Sequence, residues 1–327
     1  MHASKLRPLL LPVLLAAASA SYAQSNVTLY GLIDLSVGRT QAPGGAATNG
    51  VESGKMTTSY WGVKGSEDLG GGMAAQFVLD SFMRSDTGAA GRFNADTLWA
   101  RNAYVGVSGQ FGQVMLGRNT TSLFVQTLLF NALGDSFGYS PSIRHYFTSG
   151  TVSGDTGWSD SVRYLSPKFS NVSFSLHTAL AEANGGRNSG ASVNYGAGPL
   201  ALAGAWQSVK KGATVDDTTT WQIAGSYDLG SAKLFGQYGK VSNDTAPNVN
   251  DYSITGLGAA VNAGPQGKVL VQYSQVNPDK GARLRTFTVG YDYFLSKRTD
   301  LYGMYMNDRK AGSSTGSNYG VGIRHRF

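Results

Sequence analysis

Between Val27 and Val37 the chain alternates residue by residue. Val27, Leu29, Gly31, Ile33, Leu35 and Val37 take one side, while Thr28, Asp34 and Ser36 fall on the other. Period two sustained over eleven residues is the mark of a strand with one apolar and one polar face. The rhythm returns at 60–65, 73–84, 98–107, 113–118, 161–165, 172–177 and 189–196. It continues at 199–208, 218–227, 232–241, 251–261, 268–276, 284–293, 299–308 and 317–327, which makes sixteen segments. Past the first residues no run is apolar enough for a spanning helix, which needs about 20 residues. Composition then selects among the all-β options. Gly is 44 of 327, Tyr 17 and Phe 14, yet mean hydropathy is −0.17. In a membrane barrel only alternate residues meet lipid, so hydropathy stays low while aromatics collect at the interfaces. The expected fold is all-β: one transmembrane antiparallel β-barrel of about 16 strands.

The first residues set the compartment. Lys5 and Arg7 precede an apolar run from Leu9 to Ala18, and Ser21-Tyr22-Ala23 is a small-x-small cleavage site before Gln24. That is a secretory signal peptide, too short to span a membrane. Residues 1–23 are therefore expected to be removed, leaving 24–327 as a single barrel domain. There is no Cys, so neither a disulfide framework nor a thiolate metal site is available. The formal charge is +7; without Lys5 and Arg7, 25 basic and 20 acidic residues leave +5. So mild an excess, without a clustered basic patch, does not point to nucleic acid.

The connections fall into two kinds. Short turns such as Asp228-Leu229-Gly230-Ser231 and Ala263-Gly264-Pro265-Gln266-Gly267 alternate with longer polar stretches such as 210–218 and 242–250. A barrel with one short-turn end and one long-loop end requires that alternation. The Gly- and Thr-rich 40–54 stretch reads as an exposed loop. The closing strand puts Tyr319, Val321, Ile323, His325 and Phe327 on one face and Arg324 and Arg326 on the other. Pairing it with the first strand would remove the open edge that lipid cannot hydrogen-bond.

The rhythm breaks at 119–147. Asn119 to Asn131 has helical rather than two-residue apolar spacing. Gly134-Asp135-Ser136-Phe137-Gly138 turns the chain, and Arg144-His145-Tyr146-Phe147 gathers charge and aromatics. Long strandless connections in compact folds are usually functional. This segment is expected to fold into the lumen and narrow it; the alternative is a loop lying over the mouth. In 98–107 the parity places Arg101 with Ala103, Val105 and Val107. That apolar face is expected to turn inward against the inserted segment, its opposite face meeting another subunit.

Several motifs together resemble the general porins of β-proteobacteria. They are Val27-Thr28-Leu29-Tyr30-Gly31, Gly65-Ser66-Glu67-Asp68-Leu69-Gly70-Gly71-Gly72, Leu116-Gly117-Arg118, Ser161-Val162-Arg163-Tyr164-Leu165-Ser166-Pro167, Leu295-Ser296-Lys297-Arg298-Thr299 and the closing Arg324-His325-Arg326-Phe327. The resemblance covers the whole chain after residue 23. It implies sixteen antiparallel strands, a homotrimer in the outer membrane, a third loop folded inward as the constriction, and a terminal Phe327 read by the barrel-assembly machinery. Lipid and lipopolysaccharide would surround it. The resemblance also implies an arginine ladder facing acidic groups on the inward loop. Arg101 and Arg163 sit at ladder-like positions, with Arg144 a further candidate and Arg118 assigned to the subunit interface. The chain departs from the family at Tyr60, where relatives often carry a basic residue; the nearest here is Lys64. The loop's acidic tip is reduced to Asp135. Asp34, Asp80 and Arg84 are expected to face the lumen.

Such a channel works through fixed charge in a narrow wet eyelet and needs no cofactor. Basic residues facing Asp135, with Asp80 and Asp34, imply a mild preference for anions. A substrate-selective channel for phosphate, an organic acid or a sugar is the alternative on the same fold. An enzyme or adhesin on a barrel scaffold is a third reading. His2, His145, His177 and His325 show no metal-ligand spacing, and neither a Gly-x-Ser-x-Gly elbow nor a P-loop occurs. Trp61, Trp99, Trp158, Trp206 and Trp221 read as interface or packing markers rather than a sugar track.

Overall fold

A computed structural model describes residues 26–180, 186–210, 217–244 and 249–327; the signal peptide expected at 1–23 lies outside them. The first half of the wall holds β1 (Asn26–Thr40), β2 (Thr48–Ser53), β3 (Tyr60–Gly70), β4 (Met73–Arg84) and β5 (Ala89–Ala90). It continues with β6 (Asn102–Gly109), β7 (Gly112–Thr120), β8 (Gly157–Leu165), β9 (Val172–Ala179) and β10 (Asn188–Ala197). The second half holds β11 (Leu200–Val209), β12 (Thr218–Asp228), β13 (Ala232–Asn243) and β14 (Asn250–Asn262). The last four are β15 (Gly267–Pro278), β16 (Leu284–Phe294), β17 (Thr299–Lys310) and β18 (Gly316–Arg326). Two helices, α1 (Ser122–Leu129) and α2 (Pro141–Phe147), lie in the β7–β8 connection.

Every wall strand pairs antiparallel with its neighbours, and β1 pairs with β18 from Leu32↔Arg326 to Arg39↔Tyr319. The ladder runs on to the last residue: Phe327 N–H donates to Gly31 O at 3.1 Å, and Gly31 N–H to Phe327 O at 3.2 Å. The sheet is thus a closed barrel without a free edge. Of the eighteen strands, β2 shares with β3 one edge of β1, taking its Leu35–Thr40 end while β3 takes Asn26–Leu32. The two-residue β5 only extends β4. The closed wall therefore has sixteen positions, matching the sixteen alternating segments. The 40–54 stretch is not all loop, since Thr48–Ser53 returns along β1 as β2. Its alternation is too weak to announce a strand, and β1 supplies the missing template.

Short turns gather at one end. The Asp68 and Asp228 carboxylates each accept the N–H of the glycine two residues on, at 2.8 Å, the Asx arrangement that tightens a reversal. Long connections gather at the other end. Around the barrel the outward positions are apolar and exposed, as at Leu29, Val105, Ile223, Leu257 and Val321. A band of that extent is a liability in water and a requirement in lipid. Trp206 and Trp221 stand side by side on this face.

The inserted segment is where parity misled. Val105 and Val107 are exposed on the outer face of β6, while Asn102 and Tyr104 line the lumen. The inner face of β6 is thus polar, and the insertion does not pack on it. Arg101 precedes the first ladder pair, so it escapes the parity of the strand and points inward. The helices lie against the far wall instead: α1 against β10, β11 and β12, and α2 against β14, β15 and β16.

Candidate functional site: the constriction and its seat

The far wall is built to receive the insertion. Inward positions there are apolar where the other wall is polar: Val241, Ile254 and Val276 close over Leu123 and Tyr146. Leu270, Met304 and Met306 pack with Met56, Leu133 and Tyr139. Strands with two apolar faces thus mark the footprint of the insertion. Between these patches runs a seam of neutral hydrogen bonds. Gln222 Nε2 donates to Thr127 Oγ1 at 3.1 Å, and Gln237 Nε2 donates to the carbonyls of Thr127 and Phe130 at 2.8 and 2.6 Å. Gln272 accepts from Ala132 N–H at 3.2 Å and donates to Ser142 Oγ at 2.7 Å. Thr288 Oγ1 donates to Tyr139 O at 2.7 Å. Three inward glutamines on nearby strands were the sequence signal for this seam, and it was missed.

Helix α1 starts at an N-cap: Thr121 Oγ1 accepts from Phe124 N–H at 3.3 Å. Helix α2 has the same device at Ser140, with Pro141 pre-set for the first turn. It carries His145 into the seam, where Nδ1 lies 2.9 Å from Ser274 Oγ and Nε2 lies 2.8 Å from Thr286 Oγ1. Burial drives the His145 pKa down to about 3, with the Arg144 charge adding to the shift. The ring is therefore neutral. Next to it Arg144 reaches the wall and pairs with Asp308 at 2.6 Å. Its guanidinium is thus a clamp at the seam rather than a member of the ladder.

The opening left between the insertion and the near wall is a chamber of about 390 Å3. Arg101 and Arg163 border it from the wall; Phe124, Leu128, Asp135 and Phe137 border it from the insertion. The structure thus brings Arg101, Arg163, Asp80 and Asp135 together. Arg101 pairs with Asp80 at 2.5 Å and lies over the Tyr60 ring at 4.0 Å. Asp80 is buried, and Tyr30 and Asn102 also donate to it. Arg163 Nη1 donates to Thr120 O at 2.9 Å and makes no ion pair among the described residues. Asp135 accepts from Thr57 Oγ1 at 3.0 Å and borders both this chamber and the one toward the short turns. Lys64 faces the lumen beneath the chamber, 4.7 Å from the Tyr30 ring centre.

The remaining sequence candidates stand apart. Asp34 points inward but is fully buried. It accepts from the N–H groups of Met56 and Thr57 at 2.7 and 2.8 Å and from Tyr302 Oη at 2.7 Å, pinning the interruption between β2 and β3. Neither Asp34 nor Asp80 is therefore a free lumen charge. Arg84 sits in the outer vestibule and donates to Asn94 Oδ1 at 2.8 Å. Arg118 is engaged within its own chain by Ala100 O, Ser159 Oγ and Asp155. Burial opposes the charged form of Asp155, but the Arg92 hydrogen bonds and the charges of Arg92 and Arg118 outweigh it and hold the carboxyl below its usual range. Among the described residues no cluster of His, Asp and Glu could hold a metal.

A family model described as Gram-negative porin matches residues 11–313. The chain belongs to that family. This porin is 32% identical to outer membrane porin protein 32 of Delftia acidovorans, over 96% of its own length and 97% of the relative's. It is 27% identical to the major outer membrane protein P.IB of Neisseria meningitidis serogroup B, over 95% and 97%. Among solved structures it superimposes on an anion-selective porin from Comamonas acidovorans with a TM-score of 0.82 at 26% identity, covering 93% of this chain and all of that one. The porin is an outer-membrane channel protein.

Proposed function

We propose that this porin passes small hydrophilic solutes and ions by passive diffusion, with a mild preference for anions set at the eyelet. One observation carries the sign. Arg163 presents a guanidinium to the chamber with no carboxylate partner among the described residues, whereas Asp80 already holds Arg101, Tyr30 and Asn102. Fixed charge in a narrow opening walled by low-dielectric protein raises the local concentration of opposite ions. A bias of about 1 kcal/mol is roughly a fivefold change in ion partition. The anion-selective relative from Comamonas acidovorans agrees in sign.

Reversal potentials across planar bilayers in a potassium chloride gradient test this reading. The wild type should favour chloride, and Arg163→Glu should move the potential toward cations by a several-fold change in permeability ratio. A cation-selective wild type, or no shift in the variant, refutes it. Saturable block by phosphate, an organic acid or a sugar would instead favour a substrate-selective channel. A homotrimer is part of the same proposal, and native mass spectrometry should give a three-chain mass.

A further inference from the structure

The free side of α1 is apolar. Leu123 and Thr127 meet the far wall, while Phe124, Val125 and Leu128 turn to the chamber. A helix that borders water ordinarily turns a polar face to it. This one does not, and its apolar surface continues along the insertion. The Phe124 ring stacks on Phe137 with 5.7 Å between centres and 22° between planes, and Phe147 meets Phe124 edge-on at 5.3 Å. All three rings are half-buried. Phe124 borders the chamber, Phe147 the outer vestibule of about 530 Å3, and Phe137 both. The rings thus make a continuous aromatic strip from the vestibule into the eyelet. Apolar surface gathered in one patch beside water is the mark of a binding surface.

Each end of the strip has an unanswered guanidinium. Of the four arginines bordering the two spaces, Arg101 is held by Asp80, and Arg92 by Asp96 and Asp155. Arg84 in the vestibule and Arg163 in the chamber bond only neutral acceptors among the described residues. Asp135, the one carboxylate of the insertion, borders the chamber and the space toward the short turns. It disfavours an anion on that side and leaves Arg163 as the seat for one. Stacked rings on one wall and a free guanidinium on the other complement a solute with a flat aromatic body and a planar carboxylate. Acetate or chloride meets only the guanidinium. A chamber of about 390 Å3 is within the size of small-molecule pockets.

We propose that the eyelet favours aromatic carboxylates, the ring passing over Phe147, Phe137 and Phe124 and the carboxylate resting at Arg163. The inference rests on the anion preference proposed above and names the solute class that uses it most fully within a diffusion pore. The test is the reversal potential across a planar bilayer holding the assembled porin, with potassium benzoate on one side and potassium acetate on the other. Size alone would put the smaller acetate ahead. Wild type should instead favour benzoate about threefold in permeability ratio. Phe124→Gln with Phe137→Gln, which removes the rings without emptying their places, should put acetate ahead. If the double variant fails to assemble, Phe137→Gln alone should lower the ratio about twofold, and cyclohexanecarboxylate in place of benzoate should lose the preference on wild type. Acetate ahead in the wild type, an unchanged ratio in an assembled phenylalanine variant, or a cyclohexanecarboxylate ratio equal to that of benzoate overturns the proposal. The potassium chloride gradient separates the two readings. Chloride preference without benzoate preference overturns this proposal alone, whereas a cation-selective wild type removes the anion preference beneath both.

Discussion

His145 is the residue on which the seat of the inward loop turns. Its two ring nitrogens meet two hydroxyls, Ser274 on β15 and Thr286 on β16, and α2 is held between them. His145→Ala leaves the Ser274 hydroxyl without its partner in a buried seam and takes one partner from Thr286, which still donates to Asp308, at a cost of about 1–3 kcal/mol. Thermal unfolding in detergent should fall accordingly, and single-channel records should become noisier. The linkage has a definite sign. The folded pKa, about 3, lies below the ordinary 6.5, so the unfolded chain takes up the proton first as pH falls. Stability from this residue is complete above pH 6.5 and is lost progressively down to about pH 3. Wild type should lose more apparent stability over that window than His145→Gln; parallel curves would show that the ring does not titrate as described.

At the scale of elements, the barrel makes room for α2 with glycine. A Cβ on Gly256 of β14 would lie 2.6 Å from Ser142 Oγ, and one on Gly239 of β13 would collide with Tyr146 Oη. Gly256→Val should push α2 off the wall while the outer face stays intact, since beyond Ser142 Oγ the next neighbours of that Cβ lie 3.8 Å away. The expected result is an assembled barrel with higher and less steady conductance; unchanged conductance would mean that the helix finds another seat. Much of this level was legible in sequence. The sixteen wall segments, the short-turn end and the helical spacing near Ser122 could all be read from periodicity. Helix α2 was not, although Ser140-Pro141 is a start signal, because seven residues are too few to show a period. The seat was misplaced onto β6 because Arg101 was counted in a strand that begins one residue later. The inward apolar residues Val241, Ile254, Leu270, Val276, Met304 and Met306, on strands whose outer face is also apolar, are the better signal and passed for ordinary alternation.

For the molecule as a whole, the insertion and the wall are separable functions. Replacing 123–147 by a short Gly-Ser linker should preserve the barrel, raise conductance roughly twofold or more, and weaken the anion preference, since the wider opening dilutes the field of Arg163 and Asp308 loses its Arg144 partner. Loss of the barrel would show that the insertion is also part of the fold's stability. Deleting Phe327 removes the last rung on Gly31 and should reduce the amount of assembled protein in the outer membrane, read by heat-shifted mobility on a gel. The eyelet charges were only partly legible. Arg101, Arg163 and Asp135 were candidates by resemblance and do border one chamber. Asp34, Asp80 and Arg144 are instead tied into buried pairs and caps, which depend on partners distant in sequence.

By itself the sequence determined the wall. Period two, the absence of an apolar run past residue 23 long enough for a spanning helix and alternating turn lengths admit a closed sheet with lipid outside and water within, because lipid cannot satisfy an open edge. Tertiary structure alone decided which inward charges remain free. Parity states only that a side chain points inward; whether it meets water or a partner depends on where the insertion lies. That is set by packing against β10 to β17, across up to about 165 residues of sequence separation, as in the Arg144–Asp308 pair.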